Sequence, residues 1–345
     1  MRPSQPPGAV PEGLEVITRT KSERAMKMDC RPLRNDWYRW ALELASPGGR
    51  RARLQIFTYH RVLAESDPIA CDTTRCQLRA QLDWITGMCR VLPLAEAVRC
   101  LERGTLPSNA AAITFDDGYR DNLSEGLPVL EEFQVPVTIF LATEALTQGI
   151  MWNDVVIEAI RAARGQHEFV LDGDVILVSS SLPVDALLER LKYLPHERRS
   201  EECARLYSEI AGGEPPRLML TPEEVSARSS PLVDFGAHTV THPILSALDA
   251  EACRREILDS KRIVSGWTNR PVKLFAYPNG RSGRDFGHRE MEFVREAGYL
   301  AAVSTDWGVA VRSSSRYALP RYTPWEQSAS GFKRRILKTN LTIAR

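Results

Sequence analysis

The stretch Ala111-Ala-Ile-Thr-Phe-Asp-Asp-Gly-Tyr119 runs an apolar, β-branched segment directly into two carboxylates and a glycine. Such a run is long enough for a buried strand and too short for a helix, and Asp-Asp-Gly closes it with turn chemistry. A helical pattern follows over 125–133, and then a second apolar strand, Val137-Thr-Ile-Phe-Leu-Ala142. Strand, helix and strand in succession imply parallel neighbours joined by a crossover. The same rhythm recurs outward. Upstream lies the strand Leu54-Gln-Ile-Phe-Thr-Tyr59, with helices expected at 74–89 and 94–103. Downstream lie strands beginning at Val233, Lys273, Leu300 and Leu319, with helices at 249–266 and 289–297 between them. The expected fold is α/β: a distorted parallel (β/α) barrel of about seven strands. Between 150 and 222 the rhythm breaks into helical stretches (153–164, 184–194 and 197–211) around a small β-like segment at 168–178. This reads as a mainly helical insertion on the barrel.

Length and composition agree with a folded chain. At 345 residues, 43% hydrophobic and 26% charged, it can bury a substantial core, and its Gly and Pro content excludes collagenous or disordered classes. Seven scattered Cys with no CxxC pair argue against a disulfide framework or a Cys-based zinc site. No apolar run approaches the ~18 residues of a membrane span, and Met1 to Arg31 has no signal-peptide apolar core. The expectation is a cytoplasmic protein. Its net charge of +1 hides basic ends around an acidic body, so peripheral contact with anionic membrane through those ends is an open expectation, whereas no nucleic-acid footprint is seen. Residues 1–52 read as a basic flexible arm ending in a short helix over 35–45, on which Trp37, Trp40, Ala41 and Leu44 form a stripe. Residues 53–345 read as the barrel, closed by a basic helix at 330–345.

The polar residues that could do chemistry all follow strands, where barrel sites gather. Asp116 and Asp117 cannot both be buried without a counter-charge, because like charges repel and desolvation penalises each. A metal supplies that charge, one Asp ligating while the other acts as a base. His238-Thr-Val-Thr-His-Pro243 places two of the chain's six histidines four apart after another strand. If the segment turns helical, they share a face, as metal-binding pairs do. Two His and one Asp with open positions describe a catalytic metal site.

These two motifs, in this order and spacing, resemble the polysaccharide deacetylase family with the NodB homology domain, carbohydrate esterase family 4. Phe275-Ala-Tyr-Pro-Asn-Gly280 resembles its third motif, and Thr305-Asp-Trp307 falls where the fourth would lie, so the likeness spans about 54–325. The resemblance implies that Asp117, His238 and His242 hold a metal and that Asp116 is the base. It implies substrate contacts from Tyr119, Tyr277, Pro278 and Trp307. Two departures stand out: Ala276 occupies the place of the third-motif arginine, and the C-terminal Leu-x-His that supplies the acid is absent. Tyr59-His60-Arg61-Val62 resembles instead the N-terminal motif of the branch with a rearranged barrel, which deacetylates poly-N-acetylglucosamine. That likeness implies that His60 is the acid, and Leu319-Pro-Arg321 resembles its closing motif, with Arg321 replacing the missing arginine.

The function so implied is metal-dependent hydrolysis of an N-acetyl or short N-acyl group on an amino sugar of a polysaccharide, oligosaccharide or lipid- or nucleotide-linked glycan. Zinc is the expected metal, with cobalt or nickel left open because nitrogen and oxygen ligands alone do not decide. Two alternatives stay open at this point. One is an amidohydrolase of the same fold acting on a cyclic amide or formamide; the other is a sugar-binding pseudoenzyme, motivated by the missing Arg and His.

Overall fold

The computed structural model describes residues 36–341, apart from 68, 70, 71, 181, 183 and 228–230. The arm expected at 1–34, Cys30, Cys71 and residues 342–345, where the C-terminal helix was expected to continue, lie outside that range. Seven parallel strands run around the barrel in chain order: β1 (Leu54–Tyr59), β2 (Ala110–Phe115), β3 (Val137–Leu141), β4 (Val233–Ala237), β5 (Leu274–Ala276), β6 (Ala301–Trp307) and β7 (Leu319–Arg321). A two-residue strand, Arg90–Val91, adds to β2 from outside the ring. The ring closes where the Thr58 N–H donates to the Tyr322 carbonyl (3.0 Å) and the Tyr322 N–H donates to that of Ile56 (2.7 Å). This is the parallel barrel expected from the strand rhythm.

Side chains alternate across the strands and divide the core in two. Phe57, Tyr59, Ile113, Phe115, Ile139 and Phe235 belong to one cluster, which continues into the surrounding helices. Leu54, Ile56, Ala112, Phe140, Leu274 and Ala276 belong to a second on the opposite face, joined by Leu94, Val98 and Leu101. Many of the residues on this face are alanines, which suits a narrow interior. Here Phe140 is paired in register with Gly236, and a Cβ on Gly236 would come within 2.4 Å of the Phe140 ring.

The helices follow their sequence signals. α1 spans Asp36–Ala45, α2 Arg75–Met88, α3 Leu94–Arg103 and α4 Leu127–Glu132. Thr74 and Gln77 close a capping box on α2, which satisfies two otherwise orphaned backbone N–H groups. α1 is the helix expected, but its stripe faces outward: Trp37, Trp40 and Leu44 are exposed, while Leu42 is buried. A helix this short has room for two apolar faces, and the one carrying Tyr38 and Leu42 packs on the barrel's main cluster.

The insertion leaves the ring after β3 and returns at β4. It contains α5 (Trp152–Ala162), a hairpin of His167–Leu171 with Asp174–Val178, α6 (Val184–Leu191) and α7 (His196–Ile210). Its core is its own, built from Val156, Ile160, Phe169, Leu187, Leu191 and Leu206. Beyond β4 follow α8 (Ala250–Thr268), α9 (His288–Glu296) and the basic α10 (Ala329–Leu341).

The tight β3–β4 approach generates a prediction. Gly236→Ala should lower stability by about 1–3 kcal/mol, the usual cost of overpacking a well-filled core. Urea denaturation measures it; an unchanged midpoint would show that Phe140 can move aside freely.

Candidate active site

Asp116 and Asp117 leave the tip of β2 on a turn that few side chains could build. Asp117 has φ 71° and Gly118 φ 90°, two successive left-handed residues. A Cβ on Gly118 would lie 2.7 Å from the Leu141 side chain, so glycine is needed for space as well as conformation. The turn aims the two carboxylates differently, and their partners differ accordingly.

Asp116 is 2% exposed and meets Arg321, 1% exposed, in a two-pronged ion pair. Arg321 Nη1 donates to Oδ1 and Nη2 to Oδ2, each at 2.7 Å. The guanidinium also donates through Nε to the Ser304 carbonyl (2.8 Å) and through Nη1 to Thr114 Oγ1 (3.2 Å). Burial pushes the Asp116 carboxyl up, but the charge and hydrogen bonds of Arg321 overcome this and hold it below the ordinary carboxylate range. Ala276, where the third-motif arginine was expected, is a buried strand residue. Arg321 therefore reaches Asp116 from the last strand.

Asp117 faces the histidines. Its Oδ1 lies 3.4 Å from Nε2 of both His238 and His242, and the two rings are 4.9 Å apart. The i,i+4 spacing does not act through a helix, which corrects the expectation. Residues 238–242 form a loop with Thr239 and His242 left-handed (φ 65° and 53°). Glu256 on α8 shapes it, accepting the Val240 and Thr241 N–H groups (2.7 and 3.0 Å) and the Thr241 hydroxyl (2.8 Å). Arg199 of α7 donates to the Thr241 carbonyl (3.0 Å). Neither Glu256 nor Arg199 carries a motif signal in the sequence.

The donor set can be tested for a cation. Asp117 Oδ1 is buried with no hydrogen-bond partner, although it points at two imidazole nitrogens. His238 Nδ1 is 2.8 Å from the Ala276 carbonyl, and an N–H there leaves the Nε2 lone pair directed at Asp117. Burial pushes His242 down to about 3, which favours a neutral imidazole there. Burial pushes His238 down as well, but the Asp117 and Asp116 carboxylates more than offset this and raise it. The cluster has a place for one positive charge between these atoms. Among the described residues, Asp117, His238 and His242 form the only group of this kind, with ligand atoms within 4.8 Å of one another. They fit a divalent metal.

His60 lies just past the end of β1. Its Nε2 is 4.0 Å from Asp116 Oδ2, its side chain is 46% exposed, and its carbonyl accepts from Asn122 Nδ2 (2.7 Å). A cavity of about 470 Å³ brings together His60, Asp116, Asp117, His238, His242 and Tyr277. The insertion walls it with Trp152 and Asn153 from the start of α5 and with Asp185, Leu188 and Glu189 from α6. Other expected contacts fall elsewhere. Trp307, Pro278 and the side chain of Tyr119 do not line this cavity. Trp307 is half exposed and meets Tyr322 and Arg335. Tyr277 lines it but is no free platform, because its ring stacks on Phe286 (3.7 Å) and its hydroxyl donates to the Tyr317 carbonyl. Tyr119 is buried and bonds Asp154 of α5, whose carboxyl burial pushes up to about 7.

Comparisons with known proteins bear on the fold and the family. A protein of Bacillus subtilis (strain 168), YxkH, whose name assigns it provisionally as a polysaccharide deacetylase, is 22% identical over 273 residues, 78% of this chain and 71% of its own. Among solved structures, the Streptococcus pyogenes deacetylase PplD in complex with acetate superposes with a TM-score of 0.53 at 17% identity, covering 84% of this chain and 98% of that one. IcaB from Ammonifex degensii superposes at 0.52 and 17% identity, covering 86% and 99%. At these identities the structures testify to the fold. The sequence profile of the polysaccharide deacetylase family matches residues 103–301, more than half of the chain and both carboxylate and histidine motifs, and the protein belongs to that family.

Proposed function

We propose that the chain is a metal-dependent hydrolase that removes N-acetyl groups from an amino-sugar glycan, with zinc as the metal. The observation that carries this reading is the side-by-side placement, in one cavity, of an arginine-paired carboxylate and a cation-shaped Asp-His-His cluster. Asp117, His238 and His242 would hold the metal. When bound, it polarises the amide carbonyl and makes water more acidic.

The chain's own groups account for the proton movements. Asp116, ionised at neutral pH, accepts a proton from the attacking water as its oxygen adds to the amide carbon. Arg321 keeps that carboxylate oriented and charged until the proton arrives; its two donors leave lone pairs on both oxygens for the water. The backbone N–H of Tyr119 donates to the oxygen that gains charge. His60, as imidazolium, gives a proton to the amide nitrogen while the carbon–nitrogen bond breaks, because an unprotonated amine anion is a very poor leaving group. The products are the free amino sugar and acetate. We favour an active enzyme over a sugar-binding pseudoenzyme, because Arg321 pairs with Asp116 and His60 Nε2 lies 4.0 Å from the same carboxylate. We place the protein in a reducing, cytoplasmic compartment on the scatter of its cysteines. The exposed Trp37, Trp40 and Leu44 and the exposed basic residues Arg334, Arg335 and Lys338 of α10 support peripheral contact with anionic lipid. No described helix is long and apolar enough to cross a membrane.

Four outcomes are expected. Asp117→Ala and His242→Ala should each lose bound metal and acetate release together, because three protein ligands leave no redundancy; full occupancy by elemental analysis in both would reassign the site. Asp116→Asn should retain metal while turnover falls by roughly 10²–10⁴. In Arg321→Gln, Asp116 keeps its burial penalty but loses the counter-charge, so its pKa rises. A base must be deprotonated to work, so the acid limb of kcat/KM should move to higher pH; an unmoved limb would take the base role from Asp116. Finally, His60→Ala should depress amide hydrolysis strongly and nitrophenyl acetate hydrolysis little, since that ester's leaving group needs no proton. Equal losses would make His60 structural.

A further inference from the structure

Four of the chain's seven tryptophans are at least half exposed, and all four gather around one helix. Trp37 (53%) and Trp40 (63%) lie on α1, which packs on α10. Trp325 (65%) stands four residues before α10 begins, and the Trp307 ring (50%) meets the Arg335 guanidinium of α10 at 5.6 Å. Single exposed apolar residues are ordinary, but a cluster of indoles in water marks a surface made to be covered. α10 shows that they share a face. Its Phe332, Ile336 and Asn340 turn into the protein. One flank carries Lys333 to the Tyr38 ring of α1 (6.0 Å), and the other carries Arg335 to Trp307. Along the ridge between them run Arg334, Lys338 and Leu341, all exposed.

The charge on this face has one sign. α10 carries four basic residues and no acidic one. Arg335 gives its Nε to Glu326 (3.0 Å), whereas Arg334 has no carboxylate partner among the described residues. Residues 1–35, which lead into α1, add seven Lys and Arg against four Asp and Glu. The centre of a protein–protein interface is usually depleted of charge, which argues against a second copy here. Indoles on both sides of a cationic ridge match an anionic bilayer instead: tryptophan settles at the headgroup level and cations meet lipid phosphates. This face also adjoins the catalytic mouth. Thr305, two residues before Trp307, lines the cavity of the Asp-His-His cluster, and His60 borders both that cavity and the one beside Trp325. The insertion walls the other side and extends to the loop after β5, where Arg284 donates to the Tyr193 hydroxyl (2.9 Å).

We propose that the face built from α1, α10, Trp307 and Trp325 seats on an anionic bilayer, and that the amino sugar reaches the site from that bilayer on a lipid carrier. This rests on the deacetylase reading above, which it narrows to one kind of substrate. Flotation of the full chain with vesicles reads the docking. Binding should appear on phosphatidylcholine mixed equally with phosphatidylglycerol and be weak on phosphatidylcholine alone. It should fade as salt rises from ~0.1 to ~1 M, which shortens the Debye length from about 10 to about 3 Å. Trp37→Ala combined with Trp40→Ala should weaken binding at least about tenfold. Arg334→Gln should weaken it about fivefold, the worth of one cation near such a surface. All three side chains are exposed, so the melting temperature should not move.

Equal binding to both kinds of vesicle, or binding unmoved by these variants, would overturn the surface. So would a lipid-free dimer that the same variants dissolve, since the face would then belong to a second copy. The substrate is tested on mixed vesicles carrying N-acetylglucosamine joined through diphosphate to a polyprenol. Acetate release should exceed that from N-acetylglucosamine diphosphate in solution by at least about tenfold, because docking concentrates enzyme and substrate on one surface. The docking variants should lose that advantage and keep both their metal content and their rate on the soluble sugar. Equal rates on the two substrates would overturn the lipid-carried sugar. Vesicle binding that the variants abolish, with no acetate from any substrate, would uphold the docking face and remove the deacetylase reading.

Discussion

A guanidinium sealed from water must find its charge answered inside the protein, and Arg321 finds it in Asp116. The cost of desolvating the two ions is several kcal/mol each, which their mutual attraction recovers only when geometry is close to ideal. Here the geometry is two parallel 2.7 Å bonds, with Ser304 and Thr114 taking further guanidinium donors. An apolar pair could hold strands β2 and β7 together at less cost. What it could not do is keep a carboxylate ionised and fixed in direction beside a second carboxylate. The pair makes sense as a chemical device first and a structural one second.

Much of the rest follows from accommodating that pair. Asp117 must point away from Asp116, which requires the left-handed turn, and the turn requires Gly118 against Leu141. Once Asp117 is turned, its free oxygen needs a positive partner, and the 238–242 loop offers two nitrogens that can share one. That loop has no regular hydrogen-bond ladder of its own, so Glu256 and Arg199 hold it from neighbouring helices. Support from α7 also ties the insertion to the site, and with Trp152 and Asn153 in the cavity wall the insertion becomes part of the enzyme's working surface.

The strands and most helices were legible because period and turn chemistry are local properties. So were the two carboxylates and two histidines, whose motifs are contiguous. What the chain did not disclose was how residues distant in sequence answer one another. Nothing in Thr239-Val-Thr-His242 forecasts two left-handed residues where a helical turn seemed natural, since Glu256, fourteen places beyond His242, shapes the loop from a neighbouring helix. The stripe on α1 was read correctly as a helical period, yet period alone cannot say which of two apolar faces meets the core. Tyr277 and Trp307 illustrate the same limit: an aromatic at a strand end is spoken for or free according to neighbours that arrive later.

The ring closes between its first and last strands, and the groups proposed to complete the catalytic centre sit on either side of that seam, His60 after β1 and Arg321 in β7. On the ribosome the chain emerges in the opposite sense to its need. The acidic turn, the histidine loop and the insertion are all synthesised before the one side chain that holds Asp116 ionised. A nascent or prematurely ended chain could gather Asp117, His238 and His242, but its barrel would remain open and Asp116 unpaired. If the proposed roles hold, chemical competence is tied to complete translation, and a fragment lacking the last strand would be silent instead of half active.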